Sequence, residues 1–211
     1  MALKQFEIAA AELESDEVRQ KIQKYCVLLW HKNQVMNLTR HTTWESFVSR
    51  DLVDTLELSK LIPENQEVLD VGSGGGVPGL VLAMIRPDLE ISLSESVGKK
   101  ALALAEFAEV TGVHVQIYRE RAEKLLDDFR YDCTIARAVG SLSKFCHLFE
   151  DRWLNVNRLL AVKGPNWINE KKEAEEAGGL NQVQVKPLAV YPTPGTEWNS
   201  TILEITPRPT D

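Results

Sequence analysis

Strand and helix signals alternate between residues 67 and 163, and this alternation constrains the fold more than any other feature of the sequence. Short apolar segments rich in Val, Ile and Leu predict strands, and the stretches between them have helical composition and spacing. Such an order is typical of parallel strands joined by right-handed crossovers. The predicted strands are Glu67–Val71, Glu90–Leu93, Val113–Tyr118, Asp132–Ala136 and Leu159–Val162. The fold class is therefore α/β, with a doubly wound and mostly parallel sheet.

The two ends of the chain depart from this alternation. Residues 1–62 carry apolar side chains at helical spacing up to the break Pro63-Glu64-Asn65, which predicts N-terminal helices. Residues 182–190 and 201–206 alternate around the turn Pro192–Gly195, which predicts a closing, at least partly antiparallel pair of strands. We therefore expect a helical extension over residues 1–62 and the ligand-binding domain over residues 63–211.

The turn after the first predicted strand reads Gly72-Ser73-Gly74-Gly75-Gly76. In an open parallel sheet, ligands bind beyond the carboxyl ends of the strands, and glycines there let backbone N–H groups approach a ligand closely. A glycine turn alone is equally compatible with a structural role. Glu95, at the end of the second strand, adds an acid that can accept hydrogen bonds from both hydroxyls of a ribose.

The same turn is a poor site for a phosphorylated nucleotide. Val77 stands where a dinucleotide fingerprint has its third glycine, and Pro78 removes a backbone donor near the start of the next helix. No GxxxxGK[ST] segment occurs in the chain. A nucleoside without phosphates fits better, and the commonest such ligand is S-adenosylmethionine. The sequence thus favours a methyltransferase that uses S-adenosylmethionine and no metal ion.

Three further segments end at the same predicted edge of the sheet. Arg121-Ala122-Glu123 follows the third strand, where a loop normally faces the adenine ring, although the segment alone is more typical of an ordinary polar helix start. Arg137 ends the fourth strand and Lys163 ends the fifth. Both lie where an acceptor would approach the methyl group, and an arginine there can hold a phosphate or stack on a base.

The charge distribution limits the class of partner. A net charge of −7 argues against a protein that coats nucleic acid, but residues 21–50 carry five basic side chains and one acidic one. That stretch predicts a specific RNA substrate or, alternatively, a solvated helix face. No apolar run reaches the about 18 residues of a membrane span, and the start of the chain lacks a secretory pattern. With three cysteines that fit no disulfide or metal pattern, we expect a cytoplasmic protein.

Six segments of the chain match one known family in order and spacing. They are WHKNQVMNLT (30–39), LDVGSGGGVPG (69–79), Gly98-Lys99-Lys100, Arg121-Ala122-Glu123, Ala136-Arg137-Ala138 and Val162-Lys163-Gly164. Through them the chain resembles the glucose-inhibited division protein B family. Its members are bacterial methyltransferases that form 7-methylguanosine in small-subunit (16S) ribosomal RNA. Their fold is an S-adenosylmethionine-binding doubly wound domain with N-terminal helices.

The resemblance implies a methyl-donor site with RNA contacts beside it. The donor residues would be Gly72, Gly74, Gly76, Val77, Glu95, Arg121, Ala122, Glu123 and Arg137. Arg137 and Lys163 would act at the acceptor, and the residues near the RNA side of the pocket would be Arg50, Asp54, Arg121 and Lys163. The family usually has His at position 51 and Asp at position 95, where this chain has Asp51 and Glu95. The implied partner is small-subunit ribosomal RNA or the assembling subunit, bound by a monomer.

Methylation of guanine N7 needs no general base, because that nitrogen carries a lone pair and no proton. The enzyme mainly has to align nucleophile and methyl carbon at ~3–3.5 Å. This agrees with a chain whose four histidines are scattered and whose cysteines never follow a proline. Two alternatives stay open: a small-molecule methyltransferase with the same donor site, and a non-catalytic regulatory protein that binds the donor.

Overall fold

A seven-stranded sheet forms the centre of the protein, in a computed structural model that describes residue 13 and residues 15–137, 140–149 and 151–208. The strands are β1 (Glu67–Val71), β2 (Glu90–Ser94), β3 (Gln116–Tyr118), β4 (Cys133–Arg137), β5 (Leu159–Lys163), β6 (Val183–Pro192) and β7 (Asn199–Pro207). Their order is β3-β2-β1-β4-β5-β7-β6. Strands β1 to β5 are parallel, and β7 runs antiparallel to both β5 and β6. The strand order reverses between β1 and β4, where ligands of such sheets bind.

Helices cover both faces of the sheet. They are α1 (Asp16–Met36), α2 (Trp44–Ser46), α3 (Val53–Ser59), α4 (Gly79–Ile85), α5 (Gly98–Thr111), α6 (Ala122–Asp128), α7 (Leu142–Phe149) and α8 (Trp167–Glu176). A π-helical segment, Phe47–Leu52, joins α2 to α3, and a 3-10 turn, Trp153–Asn155, precedes β5. One buried apolar cluster packs α1, α3, α4 and α5 onto one face, and a second packs α6, α7 and α8 onto the other.

Polar side chains fix the ends of α1 and the segment that follows it. The Ser15 hydroxyl accepts the Val18 N–H at 3.1 Å at the start of the helix, and Asn37 ends it with φ at 52°. The Asn33 side-chain oxygen then accepts the N–H groups of Leu38 and Thr39 at 2.6 and 2.9 Å. These bonds hold residues 37–39 in one place, against the turn that follows β1.

The predicted α/β fold with N-terminal helices is confirmed, and so is the closing antiparallel pair. One strand is shorter than expected: β3 covers Gln116–Tyr118 rather than Val113–Tyr118. Val113 instead completes the end of α5, where its N–H donates to the Ala108 carbonyl at 3.0 Å. Residues 1–12 and 14 of the predicted extension lie outside the described residues. The boundary at residue 62 stays a prediction; α1 and α3 share one buried cluster with β1 and β2.

Two further features concern the described part of the chain as a whole. Its helices include none with both the length and the apolar character needed to cross a bilayer. Among the same residues, no three His, Cys, Asp or Glu side chains come together in a way that could hold a metal ion.

Candidate functional site

The turn after β1 contains three glycines in the left-handed region of backbone space. Gly72, Gly74 and Gly76 have φ angles of 69°, 55° and 101°, which residues with a side chain rarely adopt. The Ser73 N–H donates to the carbonyl of Ser94, the last residue of β2, at 3.0 Å. The turn therefore lies between the carboxyl ends of β1 and β2, at the edge that the sequence predicted.

Glu95 is bound to this turn through its carboxylate. Oε2 accepts the Gly74 N–H at 3.0 Å, Oε1 accepts the Val97 N–H at 2.7 Å, and the residue is only 6% exposed. An ionised carboxylate has about four lone-pair sites, so each oxygen retains acceptor capacity. The acid that the sequence predicts as a ribose acceptor thus stands fixed beside the glycine turn and retains lone pairs for further hydrogen bonds.

The N-terminus of α4 is occupied by a carboxylate of the protein itself. Asp70, near the end of β1, is buried and accepts the Gly79 N–H on Oδ2 at 3.1 Å. Burial raises the pKa of Asp70 to about 6, although hydrogen bonds from Ser73 and Gly79 oppose the increase. A pyrophosphate would therefore meet a buried acid where a dinucleotide site offers free N–H donors. The turn suits an uncharged ribose better than a phosphate.

Helix α1 reaches the glycine turn through Tyr25. The hydroxyl of this fully buried side chain donates to the Gly75 carbonyl at 2.7 Å. Leu29 and the Leu38 carbonyl also pack against Gly75, since a Cβ built there would come within 3.1 Å of each. The sequence pattern marks Tyr25 only as one residue of an apolar helix stripe, and nothing in that pattern identifies its partner 50 residues away. The N-terminal helices thus support the turn directly.

Residues 121–123 begin α6 beside the end of β2. The Ser94 hydroxyl donates to the Glu120 carbonyl at 2.8 Å and so ties the loop after β3 to β2. Arg121 is exposed and Ala122 is buried, while the Glu123 carbonyl accepts the Arg152 Nε–H at 2.7 Å. The segment lies on the same edge as the glycine turn, and its contact with an adenine ring stays a prediction.

Arg137, at the carboxyl end of β4, is held by two carboxylates from the N-terminal helices. Its guanidinium forms ion pairs with Asp51 and, at 3.3 Å, with Asp54. His41 Nδ1 lies 2.8 Å from Asp51 Oδ1, and the Tyr191 hydroxyl donates to Asp54 Oδ1 at 2.8 Å. These five residues form what we call the Arg137 cluster. It joins the N-terminal helices to β4 and to the end of β6.

The two carboxylates compensate the charge of the guanidinium. Burial acts to lower the pKa of Arg137, but its attraction to Asp51 and Asp54 outweighs burial and raises that pKa. Burial also raises the pKa of Asp54, against the influence of Arg137. Asp51 is fully buried, and its Oδ2 accepts no hydrogen bond from the described residues. A guanidinium held in this way is less free to bind a phosphate than the sequence suggested, and it stands in a fixed position.

Lys163, at the end of β5, is also engaged. Its Nζ donates to the Gly140 carbonyl, pairs with Glu170 Oε2 at 2.8 Å and lies 5.8 Å from the centre of the Phe145 ring. The same Glu170 oxygen accepts the Leu142 N–H at 3.1 Å. Lys163 therefore connects the segment after β4 to α7 and α8.

The sequence-predicted residues fall into three groups along the carboxyl edge of the sheet. The first combines the turn 72–77 with Glu95, and residues 121–123 adjoin it. The second contains Arg137 and Asp54, with Arg50 one residue before Asp51 on the π-helical segment. Lys163 forms the third, in an ion pair of its own. Their roles toward the donor and the acceptor stay predictions.

Two surface grooves lie at the opposite edge of the sheet. Their volumes are 1040 and 590 Å³, and both are lined by residues that precede strands, such as Leu89 and Val113. None of the sequence-predicted site residues lines either groove. Because doubly wound sheets bind ligands at the carboxyl ends of their strands, the candidate site is the β1–β2 turn and the Arg137 cluster rather than these two grooves.

The described residues of the site supply fixed charges and hydrogen bonds, and their thiols are poor candidates for a covalent catalyst. All three cysteine thiols are buried, and burial raises the pKa of Cys133 to about 12 and that of Cys146 to about 11. None of them is therefore suited to act as a thiolate nucleophile. His41 is engaged with Asp51. The arrangement suits transfer to an acceptor atom that has no proton to lose.

Comparison with known proteins identifies the family. Residues 18–194 match the family model GidB, described as rRNA small subunit methyltransferase G. Ribosomal RNA small subunit methyltransferase G of Rhodopirellula baltica is 49% identical over 181 residues, which are 85% of this chain and 78% of that protein. The protein of the same name from Halorhodospira halophila is 34% identical over 191 residues, 90% of this chain and 85% of that protein.

Solved structures agree on the fold. A crystal structure of a MtNAS mutant in complex with S-adenosylmethionine has a TM-score of 0.57 and 16% identity, and the match covers 96% of this chain and 84% of that one. At that identity the likeness concerns the arrangement of strands and helices alone. The family match, in contrast, spans most of the chain, and the protein belongs to the GidB family, the rRNA small subunit methyltransferases G.

Proposed function

We propose that the protein transfers the methyl group of S-adenosylmethionine to N7 of a guanine in small-subunit ribosomal RNA, as a cytoplasmic monomer. Family membership supports the reaction class. The observation that carries the proposal in the structure is Glu95, fixed to the Gly74 and Val97 N–H groups beside the turn. A nearly buried carboxylate with free acceptor sites suits the two hydroxyls of a ribose.

The residues of the turn fit a nucleoside methyl donor. The left-handed glycines let the backbone approach the ligand, and Asp70 closes the position that a pyrophosphate would need. When bound, S-adenosylmethionine supplies a methyl group on a positively charged sulfonium. In this proposal Glu95 orients the ribose, the segment 121–123 contacts the adenine, and the glycine turn excludes water around the donor.

The Arg137 cluster suits the acceptor side. Guanine N7 loses no proton on methylation, and the product ring becomes a cation. Asp51 and Asp54 supply two carboxylates against one guanidinium, so a positive charge that develops nearby is favoured by fixed charges. In this proposal Arg137 serves as a rigid planar group at the end of β4 against which the acceptor is positioned. Lys163 holds the neighbouring segment in place through its hydrogen bond to the Gly140 carbonyl.

The surface charge suits RNA approaching the carboxyl edge of the sheet. Basic residues follow β2 and β3 there, namely Lys99, Lys100, Arg119 and Arg121, although Glu120 and Glu123 lie among them. Phosphates would be attracted to these cations despite the net negative charge of the chain. Contacts of this kind make RNA binding weaken steeply as salt rises.

Methyl-labelled S-adenosylmethionine and small ribosomal subunits from cells that lack the protein test the proposal. After digestion to nucleosides, we expect the label in 7-methylguanosine. Label in another nucleoside would overturn the N7 assignment, and unlabelled RNA with intact donor binding would indicate a small-molecule acceptor. Absence of both transfer and donor binding would favour a regulatory protein.

Glu95→Gln tests the donor site in the same assay. The amide has one acceptor oxygen instead of two, so either Gly74 or Val97 loses its acceptor. Hydrogen bonds to charged groups contribute about 1.5–3 kcal/mol, so we expect donor affinity to fall roughly tenfold to hundredfold by calorimetry. Glu90→Gln, at the exposed start of the same strand, is the control and should bind the donor normally. Equal affinity of the two variants would remove Glu95 from the donor site.

A further inference from the structure

The turn between β6 and β7 lies at the functional edge of the sheet. Lys163, the last residue of β5, is paired in register with Thr201 of β7, and Tyr191 of β6 is paired with Ser200. Because β7 runs antiparallel to β5, it begins where β5 ends. Residues 193–198 therefore extend beyond the same edge that carries the glycine turn and the Arg137 cluster.

This turn presents an exposed indole on an ordered support. Trp198 is 51% exposed, although tryptophan side chains are on average highly buried. Its carbonyl accepts the Thr193 N–H at 3.1 Å, and the Thr193 hydroxyl lies 2.8 Å from the Ser200 hydroxyl. The Thr196 hydroxyl donates to the Thr193 carbonyl at 2.7 Å. The backbone under Trp198 is thus held by hydrogen bonds within the turn, so an aromatic contact there loses little conformational freedom.

The same hairpin is bonded to the Arg137 cluster. Tyr191, three residues before the turn residue Pro194, donates to Asp54, which in turn pairs with Arg137 at 3.3 Å. Strand β7 lies two positions from β4 and three from β1 in the sheet. At about 4.8 Å between neighbouring strands, the base of the turn is about 10 Å from the end of β4 and about 14 Å from the glycine turn.

We propose that Trp198 stacks on a nucleobase adjacent to the guanine that is methylated. This inference rests on the proposed function. The base of the turn lies about 10 Å from the end of β4, beside which the proposed function places the acceptor, so Trp198 is within reach of a base next to the reacting guanine. Guanine N7 is inaccessible in a regular RNA helix, so the substrate strand must be locally unstacked, and its free bases need a planar surface. Aromatic side chains provide that surface for any base. The turn contains no basic residue and one exposed acidic residue, Glu197, so it can offer stacking but no attraction for phosphate.

Methyl transfer to small subunits by three variants tests the stacking. Loss of one base–aromatic contact weakens RNA binding roughly fivefold to 150-fold, so Trp198→Ala should raise the KM for subunits by such a factor. The kcat and the donor affinity should stay unchanged, and Trp198→Phe should recover most of the KM. Leu154→Ala is the matched control, because Leu154 is 85% exposed and precedes β5 at the opposite edge. It should leave every parameter unchanged.

An unchanged KM for Trp198→Ala, or a Phe variant no better than Ala, would overturn the proposal. A fall in kcat alone would also overturn it, since that would place the indole at the reacting guanine. Indole fluorescence separates the remaining outcomes. Whole small subunits should quench the indole fluorescence of the wild type more than that of Trp198→Phe, and equal quenching of the two proteins would contradict base stacking. The quenching experiment needs no methyl transfer, so it decides the stacking even if the proposed reaction fails.

Discussion

Gly79→Ala measures how tightly the first residue of α4 is packed against β1 and β2. A Cβ built at Gly79 would lie 2.5 Å from Leu93 Cδ2, 2.6 Å from Asp70 Oδ2 and 2.7 Å from Asp70 Cβ. Ordinary contacts at such positions are 3.4–4 Å, so the new methyl group lacks about an ångström of space on two sides. Both neighbours are buried and cannot move into solvent.

The expected cost has two parts. Overpacking of a buried site costs about 1–3 kcal/mol, and loss of the Gly79–Asp70 hydrogen bond would leave a buried acceptor unpaired at about 1–3 kcal/mol. The higher helix propensity of alanine returns up to about 1 kcal/mol. We therefore expect the free energy of unfolding to fall by about 1–6 kcal/mol, and the melting temperature of a chain this size to fall by roughly 2–24 °C.

Gly98→Ala is the matched control, measured by the same urea and thermal unfolding experiments. Its Cβ would meet the guanidinium of Arg119, which is the far end of a flexible, exposed side chain and can rotate away. We expect a change below about 1 kcal/mol in either direction, because alanine also favours the first turn of α5. Equal stability of the Gly79 and Gly98 variants would refute the argument that rigid buried neighbours, rather than short distances, determine the cost. Donor affinity should fall in the Gly79 variant alone.

Four further outcomes follow from the same contacts. Tyr25→Phe removes the hydroxyl that donates a hydrogen bond to the Gly75 carbonyl. Calorimetry should then show weaker binding of S-adenosylmethionine, and urea unfolding should show a loss of about 1–3 kcal/mol. Unaltered binding of S-adenosylmethionine would mean that α1 does not support the turn. Burial raises the pKa of Asp70 from 3.8 to about 6, so the folded protein binds the proton more tightly than the unfolded chain does. This proton therefore contributes its full share to the free energy of unfolding below pH 3.8, and the contribution is lost as the pH rises through 6. Relative to Asp70→Asn, unfolding free energy of the wild type should therefore decline by on the order of 3 kcal/mol across that interval, and parallel pH curves would contradict this. Arg137→Met leaves two buried carboxylates without their counter-charge and should lower the free energy of unfolding in urea by about 3–5 kcal/mol. Adding Asp51→Asn should restore part of that loss. Additive effects of the two substitutions would exclude an energetic coupling between Arg137 and Asp51. The three buried thiols should react with a maleimide at pH 8 only after unfolding, and a fast-reacting native thiol would show that one is accessible.

Residues with a local pattern were predictable, and residues defined by distant partners were not. The strands β1, β2, β4 and β5 were predicted from short apolar runs bounded by turn residues. The glycine turn was predicted from the short segment Gly72–Val77 alone. The shortened β3 was not predictable, because Val113 and Val115 favour a strand locally while the end of α5 takes up Val113. Whether such a residue joins the strand or the helix end depends on hydrogen bonds such as that from Val113 to Ala108, which a sequence pattern does not show.

The candidate site shows the same limit. Glu95 could be predicted as a site residue from its position after the second strand. Its hydrogen bond to Gly74 could not be predicted, because it depends on how β1 and β2 pair in the sheet. Asp54 and Tyr191 are 137 residues apart, and neither has a neighbour in sequence that would indicate the other. The sequence placed Arg137 and Lys163 at the correct edge, yet it could not indicate that carboxylates already hold both cations.

The carboxylate of Asp70 has a consequence for how this protein chooses among the adenosine compounds of a cell. Nucleotides and dinucleotide cofactors share adenine and ribose with the methyl donor, so in the proposed function Glu95 and the loop after β3 would recognise features common to all of them. Discrimination among these ligands must come from the group attached to the ribose, which is a phosphate in some and a sulfonium in the methyl donor. The first N–H of α4, which could bind a phosphate, already donates its hydrogen bond to Asp70. Because burial raises the pKa of Asp70 to about 6, an incoming phosphate would face a negative charge at neutral pH, whereas a sulfonium brings a positive charge. The rejection of phosphorylated ligands by the first strand should therefore depend on pH and weaken as the solution becomes more acidic than about pH 6.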